Sequence, residues 1–142
     1  MGMSERPFAE ALSRLRGVGL RPTRQRLSLA RLLFESGNRH VTAEQVHEEA
    51  LDAGVKVSLA TIYNTLHQFT EVGLLREVVV DAGRTYFDTN VTDHHHFFFE
   101  DTGRLVDIAL QSIAVSDVQP QQAAHTVARV EAGVRVRPED GT

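Results

Sequence analysis

The hydrophobic positions change their period along the chain. In the first half they recur at helical spacing. Phe8, Leu12 and Leu15 fall on one face, and Gly17 and Gly19 end that segment. Arg21-Pro22-Thr23 reads as a helix entry with Thr23 as N-cap, because a hydroxyl there can accept from an unpaired backbone N–H. Leu27, Ala30, Leu33 and Phe34 then form an apolar stripe up to Ser36-Gly37. Thr42-Ala43-Glu44-Gln45 fits a capping box and opens a third helix. Val46, Ala50 and Leu51 are expected on its inner face, with Gly54 as its C-terminal stop. Val57-Ser58 starts a fourth helix, which runs to about Val72 and stops at Gly73.

After Gly73 the pattern becomes that of strands. Leu74 to Val80 is rich in β-branched residues, Asp81-Ala82-Gly83 is a short turn, and Arg84 to Asp88 returns as a second strand. Helices followed by a two-stranded hairpin outline a winged helix-turn-helix. Asn90 to Asp93 is a polar link. Beyond it Phe97 to Phe99 run continuously, Asp101-Thr102-Gly103 turns, and Leu105 to Ile108 reads as a strand. Ala109 to Val118 is expected as a short helix ended by Pro120. Val130, Ala132, Val134 and Val136 alternate with polar residues or glycine, a half-buried strand. The predicted fold class is α+β, with a winged-helix domain over residues 1–88 and a small α/β domain over 89–142.

Composition sharpens this outline. The chain has 142 residues, no cysteine and no tryptophan. Without thiols there is no disulfide framework, thiolate zinc site or cysteine nucleophile. No apolar run approaches the ~20 residues of a membrane span, and Met1 to Pro7 has no apolar run behind its charges. A cytoplasmic protein is expected. The net charge is −4, which taken alone argues against nucleic acid as a partner. Its distribution argues the other way: residues 1–31 hold seven arginines against Glu5 and Glu10, while residues 81–142 hold five arginines against ten acids. Lys56 is the one lysine, and arginine suits bidentate phosphate and guanine contacts.

Two features carry chemistry. On the fourth helix Leu59, Ile62, Leu66 and Phe69 share one side; Thr61, Asn64 and Gln68 lie opposite, with Tyr63 and His67 flanking the stripe. The outer face is small or polar and nearly free of fixed charge, which suits base edges in a major groove. The second feature is His94-His95-His96. In an extended chain His94 and His96 converge and His95 points away. Asp88 ends the preceding strand, Asp107 lies in the following one, and His40 sits between the second and third helices. Imidazoles with carboxylates suit Zn²⁺, Mn²⁺ or Fe²⁺. Phe97, Phe99 and the strand at 130–136 are expected to hold the second domain together.

The segments Arg21-Pro22-Thr23-Arg24-Gln25-Arg26, His40-Val41-Thr42-Ala43-Glu44, Ser58 to Leu66 and Asp93-His94-His95-His96 resemble the ferric uptake regulator family, over residues ~15 to ~108. Tyr63 to Thr70, the triplet and the absence of cysteine most resemble its iron-response regulator branch. The resemblance implies a homodimeric repressor or activator of iron-related genes that binds a palindromic DNA operator, with residues 89–142 as its dimerisation domain. It places a sensory metal site at His40, Asp88, His94, His96 and Asp107. Arg21, Arg24 and Arg26 are expected near phosphates, and Thr61, Tyr63, Asn64 and His67 at the groove. His95 and Asp93 are candidate ligands for haem or a second metal. The family's structural CxxC would fall on Phe99 to Thr102, and two of the four positions of its third site fall on Ala114 and about Ala132.

Two rival classes use the same histidines. A small metal-dependent hydrolase needs an open metal position and a general base, and three histidines with two carboxylates nearly saturate an ion. A metal-storage protein leaves the polar face of the fourth helix without a role. An enzyme is not expected.

Overall fold

Side-chain hydroxyls start three of the helices. In this computed structural model Thr23 accepts from the Arg26 N–H at 3.2 Å, Thr42 from Gln45 at 3.1 Å and Ser58 from Thr61 at 3.1 Å. Residues 8–81 and 83–139 are described; Glu5 and Arg6 of the basic segment, Ala82 of the expected turn, and Asp140 lie outside them. The helices are α1 (Ala9–Gly17), α2 (Arg24–Phe34), α3 (Ala43–Asp52) and α4 (Leu59–Glu71). Gly54 and Gly73 end α3 and α4 with φ of 77° and 83°, a conformation that a side chain would strain. Across these turns Val55 N–H reaches the Ala50 carbonyl at 2.8 Å and Leu74 N–H reaches that of Phe69 at 2.9 Å.

The chain divides into two units, one up to Val91 and one from Thr92. In the first, β2 (Arg76–Asp81) and β3 (Arg84–Asp88) form the expected antiparallel hairpin. A third strand, β1 (His40–Val41), pairs with the other edge of β3. Two residues are too few to show a period, so β1 has no signature of its own. Leu15, Leu29, Leu33, Val41, Val46, Ile62, Leu66, Phe69 and Phe87 are fully buried together. Each such side chain contributes roughly 1.5–3 kcal/mol on leaving water. Leu51 is a correction: it is 54% exposed, because it lies ~100° around α3 from Ala50, which takes the inner position.

The second unit is a three-stranded sheet in the order β5-β4-β6, from β4 (His95–Phe99), β5 (Arg104–Ile108) and β6 (Gly133–Val136). β5 runs antiparallel to β4 and β6 parallel to it. Phe98, rather than Phe97 or Phe99, is the buried phenylalanine. Phe97 and Phe99 share the other face with Val106, Val134 and Val136, their cross-strand partners or neighbours, and all five are half-buried. The helix expected at 109–118 reduces to a single 3-10 turn, Leu110–Ser112. Ile113, Val115 and Val118 are β-branched, Ala109 supplies no capping side chain, and Asp117 takes a φ of 57°, outside any right-handed helix. Among the described residues no helix is long and apolar enough to cross a membrane.

Candidate functional site

In the first unit, strand pairing makes a histidine and a carboxylate neighbours. β1 sets His40 directly opposite Asp88 of β3, and His40 Nε2 lies 3.2 Å from Asp88 Oδ2. Asp88 is fully buried, and its other oxygen accepts the Asn90 N–H at 2.8 Å. The strand is fixed on both sides. Arg39 N–H donates to Thr89 Oγ1 at 2.8 Å, while the Arg39 guanidinium reaches the Leu32 carbonyl at 3.0 Å and Glu49 Oε1 at 2.9 Å. The bond to Glu49 holds the Arg39 guanidinium above its ordinary pKa, against the opposing effect of burial.

In the second unit three donors converge. His94 Nε2 lies 3.0 Å from His96 Nε2, and Asp107 Oδ1 lies 3.2 Å from the first and 3.5 Å from the second. Register explains the third member, since Asp107 of β5 is the direct partner of His96 in β4. His94 Nδ1 meets the Thr92 carbonyl, so it carries the proton, and Nε2 of the neutral ring is a lone pair. Opposed imidazole nitrogens at this distance need a proton or a cation between them, and the adjacent carboxylate favours a cation. Both histidines are buried, which keeps water from competing. The set fits a small divalent ion by its donor chemistry.

His95 does not join this cluster. It lies on the opposite face of β4, where Nδ1 accepts the Ala132 N–H at 2.8 Å. Its Nε2 then bears the proton, so the neutral ring presents no lone pair to a metal. Asp93 is exposed and borders, with His95, a cavity of about 440 Å³ walled by Leu110, Ile113, Val118 and Val130.

The polar face of α4 is placed as expected. Ile62, Thr65, Leu66 and Phe69 are buried, whereas Tyr63, Asn64 and His67 are exposed and Thr61 and Gln68 half-buried. Arg21 and Arg24 are exposed at the entry to α2. Arg26 is committed elsewhere: its Nε and Nη2 donate to Gln68 Oε1 at 3.3 and 3.1 Å, and Nη1 donates to the Arg21 carbonyl at 2.9 Å. Glu44 was not foreseen as part of this surface. Its carboxylate accepts the Tyr63 hydroxyl at 3.0 Å, a contact across 19 residues that no periodicity could signal.

Known proteins resemble this chain in both sequence and fold. The protein is 33% identical over 103 residues to the peroxide-responsive repressor PerR of Staphylococcus aureus, covering 72% of this chain and 69% of that one. The fold is similar to the ferric uptake regulator of Pseudomonas aeruginosa solved with manganese, at a TM-score of 0.69 and 25% identity over 91% of this chain and 98% of that one. The ferric uptake regulator of Vibrio cholerae gives the same TM-score at 21% identity, over 89% and 98% of the two chains. Residues 17–134 match the ferric uptake regulator family over most of the chain, and the protein belongs to that family.

Proposed function

We propose that the protein is a metal-responsive, DNA-binding transcriptional regulator that acts as a homodimer. The convergence of His94, His96 and Asp107 on one point, with the His94 tautomer set by a backbone carbonyl, carries this reading. The first unit is read as a winged-helix DNA-binding domain, with α4 in the major groove and the β2–β3 hairpin as the wing. Tyr63, Asn64, His67 and Thr61 are its base-facing residues, with Arg21 and Arg24 at phosphates. Arg26 serves the same surface as a bracket on α4. The operator is a palindrome, matching the two-fold symmetry of a dimer.

The sensory ion is Zn²⁺, Mn²⁺ or Fe²⁺, held by His40, Asp88, His94, His96 and Asp107. Each unit supplies part of that set. Asp88 and His94 are six positions apart, so a short link ties the two parts together. A small ion is favoured over a haem on the triplet, because His95, the one member of the triplet that stands apart from the cluster, is engaged with Ala132. Within the family, Tyr63 to Thr70 and the histidine triplet support the iron-response branch and a role in iron-related genes. The half-buried face of Phe97, Phe99, Val106, Val134 and Val136 supports a homodimer through the second unit.

The test is a mobility shift on a library of duplexes with randomised centres, with Mn²⁺, Fe²⁺, Zn²⁺ or a chelator. Selection of a palindromic site with metal and its loss with chelator is the expected result. Binding that ignores metal, or no binding at all, refutes the reading.

A further inference from the structure

The Tyr63 side chain is held in place before any ligand arrives. Its hydroxyl donates to Glu44 Oε2 at 3.0 Å. Its ring stacks on His67, with centroids 6.4 Å apart and planes 20° from parallel. The His67 ring in turn meets Phe87 edge-on at 5.5 Å, and Phe87 is fully buried in β3. Tyr63 is therefore tied to α3 at its tip and to the core through its face. A tyrosine has few side-chain torsions, and these contacts fix them, so little entropy is left to lose on binding. With its hydroxyl committed to a carboxylate, Tyr63 offers an incoming ligand its ring.

Glu44 stands in the first turn of α3, where the helix N-terminus favours a negative charge. It borders a cleft of about 300 Å³ that lies between α4 and the β2–β3 hairpin and is also lined by Tyr63, His67 and Glu77. Glu77 lies 3.9 Å from His67 Nδ1. A carboxylate at such a place repels a phosphate, and it costs general affinity for DNA. That cost needs a compensating gain, and the hold on Tyr63 supplies one.

We propose that Glu44 is a specificity-determining positioning residue: it sets the Tyr63 ring for contact with thymine methyl groups, and its charge penalises registers that bring a phosphate against α3. The inference rests on the DNA-binding reading above and deepens it.

The test uses the full chain loaded with Mn²⁺. A duplex selected from a randomised library by the native protein is compared with its scrambled version, for the native chain, Glu44→Gln and Glu44→Ala. Glutamine still accepts from the Tyr63 hydroxyl but carries no charge. Glu44→Gln should keep the thymine preference and bind the scrambled duplex several-fold more tightly. Glu44→Ala loses both effects, and its preference for the selected duplex should fall by about tenfold, the scale of one misread base pair. If Glu44→Ala unfolds, Glu44→Gln carries the test alone through the scrambled duplex. Native affinities for both duplexes in both variants, or in Glu44→Gln alone where Glu44→Ala unfolds, would overturn the proposal. A native chain that selects no sequence refutes the DNA-binding reading itself, and the proposal with it, before any variant is measured.

Discussion

The Arg26 guanidinium grips the side-chain oxygen of Gln68 with two N–H groups, joining the start of α2 to the outer side of α4. The pair spans 42 residues and leaves Arg26 less free for a phosphate than its place in a basic segment suggests. A double-mutant cycle with Arg26→Ala and Gln68→Ala should give a coupling of about 1 kcal/mol in urea unfolding. Arg26→Ala should also weaken binding to all DNA sequences alike, through misalignment of α4. Strictly additive effects of the two substitutions on stability would show that the bracket does not form in solution.

Removal of the convergent imidazoles should silence the sensor. His94→Ala with His96→Ala is expected to abolish metal-dependent DNA binding and the rise in melting temperature on adding Mn²⁺, while the dimer persists. Protons compete with metal for imidazole nitrogens, so metal affinity in the native chain should fall as the solution is acidified. Calorimetric titration at two pH values measures this, and a pH-independent affinity would exclude histidine ligation.

The phenylalanine run should divide by face. Phe98→Ala is expected to destabilise the second unit by ~3–5 kcal/mol, as for other buried aromatic truncations. Phe99→Ala, on the half-buried face, should instead lower dimer affinity and leave each protomer folded. Sedimentation and thermal unfolding distinguish the two outcomes, and the reverse pattern would place the dimer contact elsewhere.

The Tyr63 hydroxyl should titrate late. Its bond to Glu44, with smaller effects of burial and of the Glu44 charge, holds its pKa above the ordinary 10.0. The protonated form is thus favoured on folding. The linked stability is fully present below pH 10.0 and is lost as pH rises through the elevated folded value. In a Tyr86→Phe background Tyr63 is the one remaining tyrosine, and phenolate absorbance should then appear at lower pH in Glu44→Ala than in the Glu44 parent. Coincident titration curves would mean the hydrogen bond is absent.

Local rules made much of the fold legible. Thr23 and Thr42 start helices, and Gly54 and Gly73 stop them, because caps are decided within a turn of chain. The split between Phe69 inside and Asn64 outside follows from helical period alone. Among the candidate ligands, His94 and His96 come together as strand alternation requires, and register adds Asp107. Non-local pairing was not legible. β1 exists because β3 offers it an edge, and Glu44 meets Tyr63 because α3 packs on α4. The helix expected after Ala109 is absent for a local reason, namely β-branched residues without a cap. Choosing among Phe97, Phe98 and Phe99 needed knowledge of which sheet face is covered, and a continuous apolar run does not say.

The parallel strand β6 has a consequence for the order in which a new copy of the protein matures. Ala132 and His95 are 37 residues apart, yet the Ala132 N–H locks the His95 ring and its carbonyl receives the His96 N–H. The first unit, by contrast, has all of its core by Phe87. On the ribosome its helices and hairpin can close while residues 132–136 are still unmade, and the long loop closure that seats β6 comes last. Each new copy therefore passes through a juvenile period in which α4 is already in place but the backbone that carries His95 and His96 is unclamped.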